Sequence, residues 1–231
     1  MNHRQINVLV FGASGMVGQG VLRECLADPR VGTLTTIGRN GSGPHHPKIS
    51  EIIHADLLNY AAIESQLKDF DACLFCLGVS SAGLTEDDYR RVTYDLTLAA
   101  ARTLAGLNPQ MTFIYVSGAG TDSSGAGRVM WARIKGETEN ALLGLPFKAS
   151  YMLRPGIIRP LGGIKSKTRS YRLFYAAFAP LLPLLHAALP NQIMSTKQVG
   201  LAMLYLATHG YPKAVLESRD IGIAAAKAAE N

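Results

Sequence analysis

Short apolar runs alternate with amphipathic helical stretches along most of this 231-residue chain. The first run, Ile6 to Phe11, is rich in branched residues and stops at a glycine, which predicts a buried parallel strand that passes into a helix. The apolar positions that then recur at helical spacing are Val17, Val21, Leu22, Cys25 and Leu26. Asp28-Pro29 ends this helix, and Leu34 to Ile37 forms the next strand, so the segment predicts a β-α-β unit.

The same alternation continues to about residue 155. The further predicted strands are Glu51 to His54, Asp71 to Leu77, Met111 to Ser117 and Ala149 to Leu153. The predicted helices are Ala61 to Leu67, a helix from a capping box at Thr85 to about Leu107, Val129 to Leu143 and Ser195 to Thr208, with a frayed helical tail from Ala224 to Asn231. Alternating strands and helices predict an α/β fold with a doubly wound, Rossmann-type parallel sheet that binds its ligand at the carboxyl ends of the strands.

The turn Gly12-Ala13-Ser14-Gly15-Met16-Val17-Gly18 follows the first strand directly. Gly12 permits the tight turn, Gly15 lets backbone N–H groups approach a phosphate, and Gly18 lets the helix pack closely on the strand. The helix N-terminus favours an anion. A glycine-rich turn without a ligand can have this spacing, but the strand–turn–helix context favours a dinucleotide-binding site.

Proteins that bind NAD usually carry an acidic residue about twenty residues after the glycine turn, at the end of the second strand. Here the second strand ends in Gly38-Arg39. A guanidinium matches a ribose 2′-phosphate, so Arg39 predicts NADP(H) as the cofactor, with an ordinary surface arginine as the alternative. Asp56, after the third strand, suits the adenine amino group or caps the following helix.

Composition narrows the class of protein. The chain is 48% hydrophobic and 17% charged, which is typical of a globular protein. Its net charge of +6 comes from Lys and Arg spread along most of the sequence, which predicts a basic enzyme for phosphorylated ligands rather than a nucleic-acid-binding protein. The first apolar run is too short for a signal peptide, so we expect a cytoplasmic protein.

Two residue pairs invite a metal or redox interpretation. Cys73 and Cys76 form a CxxC, but they lie in an apolar strand and an offset of three places them on opposite faces. We therefore expect buried strand cysteines. His45-His46 lies in a Gly/Pro loop with no carboxylate or cysteine at ligand spacing, so the sequence predicts no metal site.

Over roughly residues 5 to 160, the order of motifs along the chain resembles that of the short-chain dehydrogenase/reductases. The glycine turn, Asp56, Gly78 after the fourth strand, Ser117 after the fifth and Lys135 on the next helix occur in the family's order, and the GxxGxxG spacing is that of extended and atypical members. Residues 35–40 (TTIGRN), 131–139 (WARIKGETE) and 151–158 (YMLRPGII) most resemble atypical members close to the Tat-interacting-protein oxidoreductases.

The resemblance implies roles for three residues. Ser117 would hold the substrate carbonyl and Lys135 the nicotinamide ribose, while a tyrosine four residues before the lysine would transfer the proton. That position holds Trp131, whose indole N–H can donate a hydrogen bond but cannot act as a general acid. Either another group or water delivers the proton, or the chain has lost reduction; simple packing by Trp131 and a structural hydrogen bond by Ser117 are the alternatives.

Neither Tyr115 nor Tyr151 has the helical spacing to Lys135 that would make it a clear substitute. The segment Arg154-Pro155-Gly156 resembles the family's loop beside the nicotinamide, with Arg154 as an ion-pair residue in the alternative. The predicted cofactor site is completed by Leu57, Leu77, Gly78, Pro155 and Gly156.

We expect a single domain over 1–231, with a dinucleotide-binding core at 1–155 and a substrate-side region at 156–200. Within it, Lys165, Lys167, Arg169 and Arg172 precede the nearly uncharged stretch Leu173 to Pro190. This stretch predicts a lid or pocket for an apolar ligand. The alternatives are a membrane span, which Pro180 and Pro183 would interrupt, or a peripheral membrane contact or homodimer surface.

Two hypotheses for function result. The first is an NADP(H)-dependent oxidoreductase that acts on a small apolar carbonyl compound, with Ser117, Lys135 and Trp131 at the reactive end. The second is a non-catalytic NADP(H)-binding regulatory or interaction protein, which the missing tyrosine favours.

Overall fold

A computed structural model describes residues 4–41, 46–164 and 192–230. The strands are β1 (Ile6–Phe11), β2 (Val31–Gly38), β3 (Ile49–Ile53), β4 (Ala72–Phe75), β5 (Thr112–Val116), β6 (Ala149–Arg154), β7 (Ile157–Arg159), β8 (Ile193–Ser195) and β9 (Val215–Glu217). The α-helices are α1 (Met16–Ala27), α2 (Glu86–Arg90), α3 (Leu96–Leu107), α4 (Met130–Leu143), α5 (Thr196–His209) and α6 (Ser218–Glu230). A 3₁₀-helix spans Ala61–Gln66, and a π-helical turn, Arg91–Asp95, joins α2 to α3.

Seven strands form one parallel sheet in the order β3-β2-β1-β4-β5-β6-β9. The chain begins near the middle with β1, moves outward to β3, and then returns to place β4 on the other side of β1. This reversal between β1 and β4 is a topological switch point, where open α/β sheets bind ligands at the carboxyl ends of their strands. The predicted α/β fold is confirmed.

Both faces of the sheet are buried, as a parallel sheet covered by helices requires. In β1, Val8 and Val10 belong to one apolar cluster, which includes residues of α1, α5 and α6. Leu9 and Phe11 belong to the other, which includes residues of α3 and the 3₁₀-helix. The unbroken apolar run of β1 therefore reflects burial on two sides.

Side-chain caps mark two of the helix starts. The Thr85 hydroxyl accepts a hydrogen bond from the Asp88 N–H at 3.2 Å, which is one half of the predicted capping box; the Asp88 carboxylate accepts from the Thr85 hydroxyl and not from its backbone N–H. At α5, Ser195 and Gln198 form a complete capping box in which each side chain accepts from the other's backbone N–H. Both caps satisfy N–H groups that the first helical turn leaves without a partner.

Three local predictions need correction. Residues 61–66 form a 3₁₀-helix rather than an α-helix, and the fourth strand ends at Phe75 instead of Leu77. The prediction of a frayed tail from Ala224 is wrong for the residues that the structure describes, up to 230. Ala224, Ala225 and Ala228 are buried in the helix α6. α6 packs along α5, and small alanine side chains let the two helices approach closely although they give a weak hydrophobic pattern.

In the predicted substrate-side region, β7 and β8 pair as a small parallel sheet. The basic residues from Lys165 to Arg172 and the apolar stretch Leu173 to Pro190 lie outside the described residues. Within the ranges that the structure describes, no helix combines the length and the apolar composition needed to cross a bilayer.

Candidate functional site

A cleft of about 1200 Å³ lies along the carboxyl ends of the central strands. The site residues predicted from sequence that line it are Gly12, Ala13, Ser14, Gly15, Met16, Val17, Arg39, Leu57, Leu77, Gly78, Ser117, Trp131, Lys135, Pro155 and Gly156. Gly18 and Asp56 were also predicted, and neither belongs to the lining. Folding therefore brings positions from the first to the sixth strand into one concave surface.

The glycine turn is built so tightly that side chains would not fit. Gly12 has a φ of +73°, and a Cβ there would lie 2.7 Å from the backbone of Cys76 and Leu77. A Cβ on Gly18 would lie 2.1 Å from the carbonyl oxygen of Gly12. Gly12 therefore allows close approach to the end of β4, and Gly18 lies behind the turn, where it lets α1 pack against β1.

The N-terminus of α1 is suited to an anion. No side chain caps the helix at Gly15, and its first turn contains no acidic residue. Backbone N–H groups at a helix start need partners, and the helix dipole favours negative charge at this end. The turn and the helix start together fit the pyrophosphate of a dinucleotide.

One end of the cleft is formed by β2, β3 and the loops that follow them. Arg39 is exposed there, and the structure adds Glu51 of β3, which the sequence did not single out. Asp56 has a local role, because its Oδ1 accepts a hydrogen bond from the Leu58 N–H at 3.0 Å. This bond closes a turn before the 3₁₀-helix and does not cap it, because that helix begins at Ala61 with Tyr60 at its N-cap and without a side-chain cap. The predicted helix cap at Asp56 is therefore wrong, and Asp56 does not line the cleft where the contact with adenine was expected.

At the other end, α4 places Trp131 and Lys135 on the cleft, one helical turn apart. The Lys135 Nζ donates a hydrogen bond to the Ser117 carbonyl oxygen at 2.6 Å and lies 5.8 Å from the centroid of the Tyr115 ring. Burial lowers the pKa of Lys135 to about 8, although the nearby carboxylate of Glu139 favours the charged form. Lys135 is therefore a cation that can release its proton near neutral pH.

The Ser117 hydroxyl is committed to protein partners. Its Oγ lies 2.5 Å from Oε1 of Glu139 and 3.0 Å from the carbonyl oxygen of Leu153, and the residue is buried. A hydroxyl has a single proton to donate, and both of these neighbours are acceptors. This geometry favours the structural hydrogen bond over a donor aimed at a substrate carbonyl.

Behind Ser117 lies a buried ion pair between Glu139 and Arg154. Of these two residues, the sequence analysis singled out only Arg154. Glu139 accepts hydrogen bonds from Nε of Arg154 at 3.1 Å and from its Nη2 at 2.5 Å. The side chain of Glu139 is 1% exposed and that of Arg154 is 13% exposed. Arg154 is thus an ion-pair residue, which was the alternative interpretation from the sequence. The spacing of four residues between Lys135 and Glu139 on one helix was the signal that could have revealed the carboxylate.

The loop after β6 is held from both sides. The carbonyl oxygen of Pro155 accepts a hydrogen bond from the Ala119 N–H at 2.9 Å, and the Gly156 N–H donates to the Ser218 Oγ at 2.8 Å. A Cβ on Gly156 would lie 2.3 Å from the carbonyl oxygen of Gln192. The backbone of this loop is therefore fixed where it borders the cleft.

Both cysteines of the CxxC lie in apolar surroundings, but only Cys73 is a buried strand residue as predicted, because β4 ends at Phe75 and Cys76 after it is partly buried. Cys73 belongs to the cluster on one face of the sheet, and Cys76 packs against the cluster on the other. Burial raises the pKa of Cys76 to about 12 and that of Cys73 well above its ordinary value. Among the residues that the structure describes, no three His, Cys, Asp or Glu side chains are grouped to hold a metal ion.

These thiols should react slowly in the native protein. At pH 8, we expect labelling of Cys73 and Cys76 by an exposed-thiol reagent to be at least ~100-fold slower than that of free cysteine, because only the thiolate reacts. Mass spectrometry of a time course measures this, with the urea-unfolded chain as the control. Rapid formation of a Cys73–Cys76 disulfide under mild oxidation would contradict the expectation.

Comparisons with known proteins agree with this geometry. Residues 8–127 match the model of the NAD dependent epimerase/dehydratase family. The enzyme WbmF of Bordetella bronchiseptica, solved in complex with NAD+, has a TM-score of 0.67 at 14% identity, over 100% of this chain and 79% of WbmF. A short-chain dehydrogenase/reductase superfamily protein of Agrobacterium tumefaciens with bound NAD has a TM-score of 0.64 at 14% identity, over 91% of this chain and 77% of that protein.

A sequence relative corrects one prediction. The protein named "fmp52, mitochondrial" of Emericella nidulans is 28% identical over 80% of this chain and 79% of its own length. Relatives in Chaetomium globosum and Scheffersomyces stipitis are also named mitochondrial. These names contradict the cytoplasmic location expected from the sequence.

The predicted resemblance to short-chain dehydrogenase/reductases is confirmed by the family match together with the shared fold. The family match supports a nicotinamide dinucleotide as the cofactor. The glycine turn and the uncapped N-terminus of α1 both lie within the matched residues 8–127. On this basis, the chain belongs to the NAD dependent epimerase/dehydratase family.

Proposed function

We propose that this protein is an NADP(H)-dependent oxidoreductase that acts on a carbonyl group of a small, largely apolar molecule. The observation that carries the proposal is the placement of Lys135 and the glycine turn on one cleft, with Arg39 at the far end. The family match supports the dinucleotide, and the guanidinium of Arg39 supports the form with a 2′-phosphate.

Each part of the cleft has a task in this proposal. The N–H groups at the start of α1 would bind the pyrophosphate, and Lys135 would hold the nicotinamide ribose. Bound NADPH would supply the hydride. Val79 and Ile157, which are 44% and 43% exposed, line the cleft together with Trp131. These apolar surfaces would bind an apolar substrate and exclude water from it.

The choice of cofactor is tested at Arg39. We expect Arg39→Ala to weaken NADPH binding by about 1–3 kcal/mol and to leave NADH binding nearly unchanged, because only the 2′-phosphate forms a charge-assisted contact. Titration of both cofactors by calorimetry measures the two dissociation constants. Arg219→Ala is the matched control, since Arg219 lines the cleft at the start of α6 and should not distinguish the two cofactors. Equal affinity of the wild type for NADPH and NADH would refute the assignment.

A second candidate function is a regulatory protein that binds NADP(H) without catalysis. It is favoured by Trp131 in place of an ionisable residue and by the commitment of the Ser117 hydroxyl to Glu139. A panel of aldehydes and ketones, assayed with NADPH on the wild type and on Trp131→Tyr, separates the two candidates. Turnover by the wild type supports the oxidoreductase, whereas turnover by the variant alone supports the regulator.

A further inference from the structure

Carbonyl reduction needs a proton donor as well as a hydride. When hydride adds to a carbonyl carbon, the oxygen gains negative charge and must receive a proton from a nearby acid. Trp131 occupies the place of the tyrosine expected for this step, and an indole N–H does not ionise in the working pH range. The donor has to come from another residue of the cleft or from water.

The described part of the cleft offers few ionisable groups. Those that line it are Arg39, Glu51, Cys76, Tyr89, Lys135, Glu217 and Arg219. Arginine keeps its proton throughout the working range. Arg39 and Glu51 also belong to the end of the cleft formed by β2 and β3, far along the sheet from α4.

Two further groups are poor acids for this step. Glu217 is an exposed carboxylate that accepts a hydrogen bond from Nη1 of Arg154 at 3.2 Å. Cys76 lies beside the glycine turn, and burial raises the pKa of its thiol to about 12. Tyr89 and Lys135 remain as candidates.

Lys135 is better placed than Tyr89. It shares the cleft-facing side of α4 with Trp131, whereas Tyr89 belongs to α2 and is only 2% exposed. An ammonium group has three N–H donors, and the Ser117 carbonyl oxygen accepts one of them at 2.6 Å. Two donors are then left for the ribose and for the substrate oxygen.

We propose that Lys135 is itself the proton donor to the substrate oxygen, which makes the missing tyrosine unnecessary. This inference rests on the proposed function. As hydride from NADPH forms the new C–H bond, the carbonyl π electrons move to oxygen, and an N–H bond of Lys135 breaks to form the O–H bond of the alcohol. The cofactor is oxidised, the carbonyl is reduced, and the neutral amine regains a proton from water.

The surroundings of Lys135 suit this role. Its Nζ donates to the carbonyl oxygen of Ser117, directly after β5, and lies over the ring of Tyr115 in β5. Glu139 of the same helix is the nearby charge, and it is itself paired with Arg154 of β6; Trp131 and Tyr89 line the same cleft. Burial lowers the pKa of Lys135 to about 8, with Glu139 acting in the opposite direction. At pH 7 the group is therefore mostly protonated, and its acidity is close to the value that general acid catalysis favours.

The first test uses the protein without cofactor. Trp131 is the only tryptophan of the chain, and its indole lies one turn from Lys135, so its fluorescence should respond when the ammonium loses its charge. We expect a fluorescence transition near pH 8 in the wild type and in Tyr89→Phe, and none in Lys135→Met. Two results would overturn the assignment of the acidic group to Lys135. One is the absence of a transition between pH 7 and 9 in the wild type, and the other is a transition that persists in Lys135→Met.

The second test measures turnover and binding together. We expect the wild-type rate with NADPH to fall about tenfold per pH unit above pH 8, since the protonated amine is the active form. Lys135→Arg keeps the charge but cannot release a proton, so it should bind NADPH within ~3-fold of the wild type and reduce the carbonyl at least ~100-fold more slowly. Tyr89→Phe should keep the rate within ~3-fold.

The outcomes separate this inference from the proposed function. A large loss of rate in Tyr89→Phe, or a normal rate in Lys135→Arg, would assign the proton to another group while reduction itself stands. Turnover only after Trp131→Tyr would also remove Lys135 as the donor. If the wild type and Trp131→Tyr both bind NADPH and reduce no carbonyl, the proposed function fails and the inference fails with it.

Discussion

Replacement of Arg154 by methionine is expected to destabilise the fold by about 3–5 kcal/mol, because it leaves the carboxylate of Glu139 buried without the guanidinium to which it is hydrogen-bonded. Glu139 is 1% exposed at its side chain and receives three hydrogen bonds from Arg154, through Nε to both oxygens and through Nη2. Urea unfolding, followed by circular dichroism, measures the change in the free energy of unfolding.

Two companion variants make this prediction specific. Arg133 forms an ion pair with Glu86 at 2.8 Å, in which the carboxylate side chain is 52% exposed. Arg133→Met should therefore cost less than about 1 kcal/mol. In the Arg154→Met background, Glu139→Met should recover part of the lost stability, since the unpaired charge is removed. A small effect of Arg154→Met alone would mean that water reaches Glu139.

Gly12→Ala is expected to abolish dinucleotide binding and to destabilise the fold by about 2–4 kcal/mol, because strained backbone and overpacking add. The φ of +73° is unfavourable for alanine, and the new Cβ would lie 2.7 Å from the backbone where Cys76 meets Leu77. The strand ends and the turn would have to separate. Calorimetry with NADPH and urea unfolding of the free protein measure the two effects separately.

Gly106→Ala is the matched control for this substitution. Gly106 lies within α3 and is exposed, and a Cβ added there would meet no heavy atom of the surrounding described structure within 4 Å. Alanine there should stabilise the fold by about 0.5–1 kcal/mol and leave cofactor affinity unchanged. If Gly12→Ala bound NADPH as the wild type does, the glycine turn would not be the pyrophosphate site.

Much of the fold follows from local patterns. The apolar runs of β1 and β5, the helical spacing of α1 and the capping threonine of α2 each predict an element without reference to the rest of the chain. β9 was not predicted, because a strand of three residues is too short to show a period in its hydrophobic pattern. α6 was underestimated because alanines pack well only against a partner helix, here α5.

The site was predictable where spacing along one element decides the geometry. The glycine turn fixes where an anion can bind, and the offset of four places Trp131 and Lys135 on one side of α4. Hydrogen bonding between elements was not predictable in the same way. Ser117 lines the cleft, but the direction of its hydroxyl depends on Glu139 of α4, a helix that packs against the neighbouring strand β6.

By itself, the sequence determined the parallel α/β fold, the glycine turn and the absence of a tyrosine four residues before Lys135, because each depends on short-range spacing. Only the tertiary structure decided that Asp56 closes a turn, that Arg154 neutralises Glu139, and that Lys135 lies buried enough to release a proton near pH 8. The reason is physical: burial and charge pairing depend on residues that are distant in sequence and meet only when the sheet has formed.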